Sequence, residues 1–444
     1  MGAWFECEKL SPERPASQSI VFFVKRNWAE LDAGLPMLLA CRRARPDWRL
    51  IAIFESAWMH QEQARFPALL TQLRSTADVC LWTRHAPASG LKIKRTAAGG
   101  SRRSGLVYAA RVVGWRLWAP VVAHSEVRAL ARVGEPAAPV GAFLHNHKAE
   151  TPLERRLHRA FPGAVKIGFH HGSHPVVPAG ERACEPKPSK GPPTDLFLGK
   201  TLDERDLVRF PGSQPDVRAV GFPKYDSEWL RSITASTWNE GPKPTTQKRH
   251  GRRWLFLTRG PVNEAMDPGD YTELLNALAD ALARRPDVQV LVKPHPREDL
   301  EALRAALPGQ EGERWHLTNQ HPYIAAKEVD LTIAMWSSVI LDAAAAGSPV
   351  IELYRFRHAS HYLAYLPNGR LASTHAATGI CEPASNHEEL ERAIAAWESS
   401  GWDDPVWLPK RRAIAGLLGS TPGKALDETR DAIDSALSAS PVAQ

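Results

Sequence analysis

Val288 to Val292 reads as a buried strand and runs into Lys293-Pro294-His295-Pro296, which sets a cation and an imidazole among two residues that lack a backbone donor. Proline fixes its own φ and restricts the residue before it, so Pro294 and Pro296 hold His295 in a narrow orientation. From there the imidazole can donate to a phosphate oxygen, and Lys293 can add a point charge. Further along, DLTIAMWSSVILDAAAAGSPVIEL ends an apolar strand near Met335 and puts Ser337 or Ser338 where an N-cap belongs. An alanine-rich helix follows, which Gly347 is placed to end. Backbone N–H groups and serine hydroxyls at such a helix start form an anion site aided by the helix dipole, and the same serines serve equally as plain caps. Asp342, on about the same helical face as Ser338, reaches either a ribose hydroxyl or solvent. Arg259 follows the first strand of this region, and Arg355, Arg357 and His358 follow VIELY. All four are strand-end positions, where solvation is the ordinary role of the last three.

Earlier in the chain, HNH (145–147) and FHHGSHP (169–175) put five histidines at the ends of two apolar runs. A histidine cluster invites a metal, but no Asp or Glu lies within these stretches, and adjacent His170 and His171 point oppositely if still on a strand. A strand-end histidine followed by Gly172, which permits close approach, suits a general base better.

Positioning these groups requires a sheet with crossover helices. Ser19–Val24 (SIVFFV) is an unbroken apolar run, the mark of a strand buried on both faces. A helical run and the strand WRLIAIFES follow, and the rhythm returns in ADVCLW, APVGAFLH, AVKIGFHHG and DLFLGK. Strand, helix, strand with short connections predicts a parallel sheet. Hydrophobic periodicity stops at 232–253, where Pro, Gly, Thr and cations dominate. Beyond it WLFLTRG opens a second α/β run, and the next helix carries Leu274, Leu278 and Leu282 behind an Asp270/Glu273 pair spaced like a capping box. The expected architecture is α/β: two doubly wound Rossmann-like domains facing across a cleft, with ligands at the carboxyl ends of the strands. Expected boundaries are 1–229 for an acceptor-side domain, 230–252 for a linker, 253–420 for a nucleotide-donor domain and 421–444 for a C-terminal helix and tail.

At 444 residues the chain can bury two cores, and 43% hydrophobic with 24% charged residues is the balance of a soluble protein. The 56 Lys plus Arg against 49 Asp plus Glu favour anionic partners. Nucleic acid is not expected, because the basic stretch 87–105 lacks interleaved aromatics. Five cysteines without a CxxC pair suit a reducing cytoplasm. No secretory signal is visible at the N-terminus. Gly105 to His124 is the most membrane-like segment, yet Arg111 and Arg116 at the bilayer centre would cost about 2.5 to 3.5 kcal/mol each. With Trp115 and Trp118 it allows an interfacial helix; an amphipathic helix packed on the protein's own sheet is the simpler expectation.

Together, FHHGSHP, VGFPKYDSEWL, LVKPHP and MWSSVILDAAAAGSPVIEL resemble the CDP-glycerol glycerophosphotransferase family, the teichoic-acid polymerase-like enzymes, and related bacterial surface-polysaccharide glycosyltransferases of GT-B fold. The resemblance runs from Ala138 to Leu353 in the family's motif order. It implies that His171, in the His-Gly motif, is the base activating an acceptor hydroxyl. It also implies that His295, with Ser337 and Ser338, holds donor phosphates, and that Gly221–Asp226 closes the first domain. This chain has His171-Gly172-Ser173-His174-Pro175 where His-Gly-Thr-Pro is commoner, and Met335-Trp336 where Thr-Asp-Tyr is commoner. These departures leave room for a sugar donor in place of glycerol phosphate. Similar His-Pro and Ser-Ser pairs in sialyl- and Kdo-type transferases serve CMP-activated sugars, which makes a cytidine nucleotide the leading donor.

The expected activity is transfer of a glycosyl or polyol-phosphate group from a CMP- or CDP-linked donor to a growing capsule, teichoic-acid-like or lipopolysaccharide glycan, polymeric or lipid-linked. Lys293, Arg259 and Asp342 complete the expected donor set. The scheme uses no metal or other cofactor and is compatible with peripheral contact at the cytoplasmic face of the inner membrane. The alternatives are a nucleotide-sugar 2-epimerase of the same architecture, a metal-dependent hydrolase built on the histidines, and a non-catalytic binding partner in a polysaccharide assembly complex.

Overall fold

The apolar runs form parallel strands in the computed structural model. It describes residues 5–11, 16–25, 27–83, 139–170, 175, 177, 181–184, 189–202, 204, 208–210, 212–236, 252–260, 266–295, 298–359, 363–419 and 423–439. His171, His174, the basic stretch 87–105, the segment Gly105 to His124 and most of the expected linker lie outside the described residues. Among the described residues no helix is long and apolar enough to cross a membrane.

The chain forms two compact units. One comprises Met1–Gly172, Pro188–Ser236 and Gly423–Gln444; the other comprises Ser173–Lys187 and Thr237–Pro422. In the first, the strands are β1 (Phe5–Lys9), β2 (Ser19–Val24), β3 (Arg49–Phe54), β4 (Val79–Thr83), β5 (Val140–Asn146), β6 (Val165–Phe169), β8 (Leu196–Gly199) and β10 (Asp216–Ala219). A minor two-stranded ladder pairs β7 (Ser189–Lys190) with β9 (Val208–Arg209). The main sheet runs β1-β4-β3-β2-β5-β6-β8-β10, all parallel except the edge strand β1. Counted from β2, that is the doubly wound order, with its switch point between β2 and β5. Helix Trp28–Ala44 lies on one face of this sheet, and Gly34 makes the approach possible: a Cβ there would come within 2.2 Å of the Phe22 ring. On the other face Val21, Phe23, Ile51 and Phe143 pack with Leu153 and Leu157 of helix Pro152–Ala160.

The C-terminal helix Lys424–Ser438 returns to this first unit and packs on helix Trp28–Ala44, burying Leu426, Ile433 and Leu437. Its N-cap, Gly423, has no side chain to offer. Asp226 of the GFPKYD segment supplies the acceptor instead, taking N–H bonds from Gly423 at 2.9 Å, Ala425 at 3.1 Å and Leu426 at 3.3 Å. Helix Ser227–Ser236 follows directly, so the first residues of the expected linker are helical.

In the second unit, β11 (Arg253–Leu257), β12 (Gln289–Lys293), β13 (Trp315–Leu317), β14 (Leu331–Ala334), β15 (Val350–Leu353) and β18 (Glu382–Ala384) form one parallel sheet. The order is β13-β12-β11-β14-β15-β18, again doubly wound, with its switch point between β11 and β14. A separate hairpin pairs β16 (Leu363–Tyr365) with β17 (Leu371–Ser373). Leu274, Leu278 and Leu282 of helix Pro268–Ala283 are buried against Phe256, Val290 and Val292, as their spacing predicts. β12 alternates, however: Val290 and Val292 are buried while Leu291 and Lys293 are half-exposed, so only one face of that strand is fully covered. Both units are therefore Rossmann-like α/β domains.

The capping-box expectation is corrected. Asp267 takes the N-cap position of helix Pro268–Ala283 without a side-chain cap bond, while Asp270 sits inside the first turn. Asp270 is buried and ion-paired to Arg355 and Arg357, whose guanidiniums hold its carboxyl below the usual range. Arg357 is exposed, as expected of a solvated strand-end arginine, while Arg355 is half-buried, and both are ion-paired to Asp270. The helix starts at Pro268, a turn earlier than the capping-box spacing implied, so Asp270 is free to pair with arginines that follow β15.

Candidate functional site

The carboxyl ends of β11, β12 and β14 carry the residues expected to meet donor phosphates. Arg259 follows β11, and its guanidinium lies 4.6 Å over the Trp336 ring while Nη1 donates to the Trp336 carbonyl at 2.7 Å. That bond joins the loops on either side of the switch point. Trp336 in turn meets Phe356 edge-on at 5.3 Å, and Phe356 lies 4.2 Å from Tyr354, so an aromatic ladder continues to the end of β15.

Lys293 ends β12, and its carbonyl accepts from the Thr258 N–H at 3.2 Å. The His295 N–H donates to Thr258 Oγ1 at 3.2 Å, and its carbonyl accepts from the Glu298 N–H at 2.8 Å. His295 and Lys293 are both half-buried.

The serine pair is placed differently from expectation. Helix Ile340–Ala345 has Val339 at its N-cap, and neither Ser337 nor Ser338 caps it by side chain. Their carbonyls accept from the Ile340 N–H at 3.1 Å and the Leu341 N–H at 3.4 Å, so both serines belong to the turn before the helix. A six-residue helix also offers little of the dipole that a longer one would. Gly347 ends it as its position predicts: φ is +82°, and the N–H groups of Gly347 and Ser348 return to the carbonyls of Ala344 and Ala343. Asp342 is fully buried, with Oδ1 4.0 Å from His321 Nε2. It is not exposed to solvent. His321 itself caps the next helix, its Nδ1 accepting from the Tyr323 N–H at 3.3 Å.

In the first unit the histidines divide. His145 is buried in β5, 3.7 Å from Glu154 Oε1, and burial pushes its pKa down to about 4 against the pull of that carboxylate. Glu154 is matched by Lys25, which follows β2: Nζ lies 2.8 Å from Oε1 and also donates to the carbonyls of Asn146 at 3.3 Å and Lys148 at 3.1 Å. Burial raises the Glu154 pKa, but Lys25 and His145 together bring it to about 2. His147 and His170 stack in parallel at 4.1 Å, and His170 Nδ1 lies 3.5 Å from Lys200 Nζ, which pairs with the buried Glu204 at 2.6 Å. The carboxylates absent from the local histidine stretches thus come from other elements.

Thr258, Tyr271, Glu298 and His321 in one unit, and Lys25 and Glu154 in the other, were not singled out from sequence. Glu298 lies within the same LVKPHPRED stretch as His295, but its role depends on Tyr271 and Thr258, which no local pattern connects to it.

No protein-family model matches this chain, and no curated protein matches it. Among solved structures it is similar to S. aureus MnaA, solved with UDP, at 13% identity over 95% of this chain and 97% of that one, TM-score 0.55. It is similar to the UDP-GlcNAc 2-epimerase of Neisseria meningitidis, bound to UDP-GlcNAc, at 12% identity over 95% and 99%, TM-score 0.53. It is similar to the glycosyltransferase of kitacinnamycin at 11% identity over 95% and 100%, TM-score 0.50. At such identities the likeness is one of fold, and the fold is that of the GT-B-type enzymes: α/β, with two Rossmann-like domains.

Proposed function

We propose that this chain is an enzyme of nucleotide-sugar chemistry whose second unit holds a nucleotide-activated donor at the ends of β11, β12 and β14. The observation that carries the reading is the Arg259–Trp336 bond across the switch point, beside a His295 whose backbone is tied to Thr258. Ligands of doubly wound sheets sit at that point. The activity proposed is transfer of a glycosyl or polyol-phosphate group to a glycan acceptor. The preference for a CMP- or CDP-linked donor rests on the motif resemblance alone.

In this mechanism His295 donates to a donor phosphate oxygen, Lys293 and Arg259 supply positive charge, and Ser337 and Ser338 offer hydroxyls. His171 takes the acceptor hydroxyl proton as the new bond forms and the bond to the leaving phosphate breaks. Negative charge grows on that phosphate, so groups aimed at it act more on the transition state than on the bound donor. Asp342 completes the proposed donor set, with its carboxylate beside His321.

Thermal shift with CMP-, CDP-, UDP- and GDP-linked donors tests the reading, because a nucleotide at a hundred times its Kd stabilises by about 2.7 kcal/mol. His295→Ala should weaken that shift, and His171→Ala should keep it while losing turnover. A chain that no nucleotide stabilises, or one in which His171→Ala turns over near normally, refutes the donor or the base assignment respectively.

A second reading is a nucleotide-sugar 2-epimerase, favoured by the similarity of fold to the UDP-GlcNAc 2-epimerase of Neisseria meningitidis over nearly the whole chain. It needs no acceptor. Proton NMR of UDP-GlcNAc incubated with the protein alone distinguishes the two, since only an epimerase inverts C2 under those conditions.

A further inference from the structure

Both carboxylate oxygens of Glu298 are occupied from within the second unit: Oε2 accepts from Thr258 Oγ1 at 2.6 Å and Oε1 from the Tyr271 hydroxyl at 2.7 Å. Gly260 packs directly on the same group, since a Cβ there would stand 3.2 Å from Oε1. Burial and the Glu298 charge raise the Tyr271 pKa, which keeps that phenol a donor.

The bonds close a ring around His295. The Glu298 N–H donates to the His295 carbonyl at 2.8 Å, and the His295 N–H donates to Thr258 Oγ1 at 3.2 Å. A hydroxyl has one proton to give. Because the carboxylate is acceptor-only, it draws that proton and leaves the Thr258 lone pairs facing His295. With a neutral apolar residue at 298 the Thr258 hydroxyl could rotate and surrender the polarity of the ring.

We infer that Glu298, acting through Thr258, is a positioning residue that sets the His295 backbone and thereby the line of its imidazole to the donor phosphate. Its functional half rests on the donor reading above. Glu298 does not touch the donor in this assignment; it fixes the residue that does.

The test uses the full chain with Glu298→Ala, Glu298→Gln, Thr258→Val, Thr258→Ser and the Thr258→Val/Glu298→Ala double variant, with His295→Ala as reference. Two readouts are taken. One is the nitrogen-15 resonance of the His295 ring without nucleotide, assigned by its loss in His295→Ala. The other is the Kd for whichever of CMP, CDP, UDP or GDP stabilises the wild type. Glu298→Ala and Thr258→Val should each move the resonance and weaken binding about tenfold, the scale of a lost charge-assisted hydrogen bond. The double variant should be no worse than either single one, because both break one relay. Thr258→Ser should behave as wild type, and Glu298→Gln should fall between, since its amide oxygen accepts only one hydroxyl well.

The inference is overturned if Glu298→Ala leaves the His295 resonance and Kd unchanged while His295→Ala weakens binding, or if the two single effects simply add. If Glu298→Ala moves the resonance but His295→Ala binds nucleotide as tightly as wild type, the donor assignment falls and the functional half of the inference falls with it. Should Glu298→Ala fail to fold, the Glu298→Gln and Thr258→Ser comparison with Thr258→Val carries the same decision.

Discussion

Replacing Asp226 should release the C-terminal helix while leaving the rest of the first unit folded. Its carboxylate takes four backbone N–H groups: those of Gly423, Ala425 and Leu426 at the start of helix Lys424–Ser438, and that of Glu228 at 2.9 Å in its own segment. Oδ1 serves Gly423 and Glu228, and Oδ2 serves Ala425 and Leu426. A lost N-cap costs about 0.5 to 2 kcal/mol, and here the acceptor is charged, sits at the positive end of a helix and serves partly buried donors. Asp226→Ala should therefore cost about 3 to 4 kcal/mol, given the usual worth of such bonds and their overlap. Asp226→Asn keeps an oxygen for the Oδ1 pair and loses the Oδ2 pair, for about 1 to 2 kcal/mol. Because two units need not unfold together, the assay is hydrogen exchange by mass spectrometry on peptides covering 424–438. About 3 to 4 kcal/mol corresponds to roughly a few hundredfold less protection there if the helix opens locally. Unchanged protection in Asp226→Ala, or an Asn variant as damaging as Ala, refutes the capping argument.

Acid should unfold the first unit in two stages. His145 has its folded pKa near 4 and its ordinary value at 6.5, so the unfolded chain takes the proton first and stability falls as pH drops from 6.5 to 4, with a limiting slope of about 1.4 kcal/mol per pH unit. Glu154, held near 2 against an ordinary 4.5, contributes above pH 4.5 and loses that contribution as pH falls toward 2. In urea titrations at stepped pH, His145→Gln should act chiefly on the upper stage and Glu154→Gln chiefly on the lower, each with a smaller effect on the other because the two groups interact; an unaltered profile would mean that these groups are not buried as described. Lys25→Met should cost about 3 to 5 kcal/mol by stranding Glu154, and Lys25→Met/Glu154→Leu should recover most of it in the same denaturation assay. Gly347→Ala meets no atom within 4 Å but forces an alanine to φ +82°, so it should cost about 1 to 2 kcal/mol from backbone strain alone, read as a lower urea midpoint for the second unit.

What the sequence reveals here follows the range of the forces involved. SIVFFV maps residue for residue onto β2, because a strand buried on both faces must be apolar throughout. β1 and β10, with charged residues at an edge, carry no such pattern, and β13 and β18 are three residues long. Gly347 was legible because a helix end in the left-handed region is a local demand. The serine cap was misplaced because the turn at Trp336 is set by Arg259, a residue on another strand. Asp270 was misassigned for the same reason: its partners are arginines that only the sheet brings near. The histidines looked free of carboxylates because Glu154 and Glu204 arrive on other elements.

The two switch points use one device with different consequences. In each unit a cation just past the first parallel strand bonds a carbonyl at or just past the end of the fourth: Lys25 to Asn146 and Lys148, Arg259 to Trp336. Such a bond ties together two loops that the reversal of strand order would otherwise leave apart. Lys25 is sealed, with its side chain 1% exposed and paired to a carboxylate that is fully enclosed. A charge in that setting holds structure, since any ligand would have to displace Glu154 and desolvate both partners. Arg259 is half-exposed, and its guanidinium leans on the Trp336 indole while bonding the Trp336 carbonyl. Removing the first cation should therefore be felt in stability, whereas on the proposed donor reading removing the second should be felt in nucleotide binding as well.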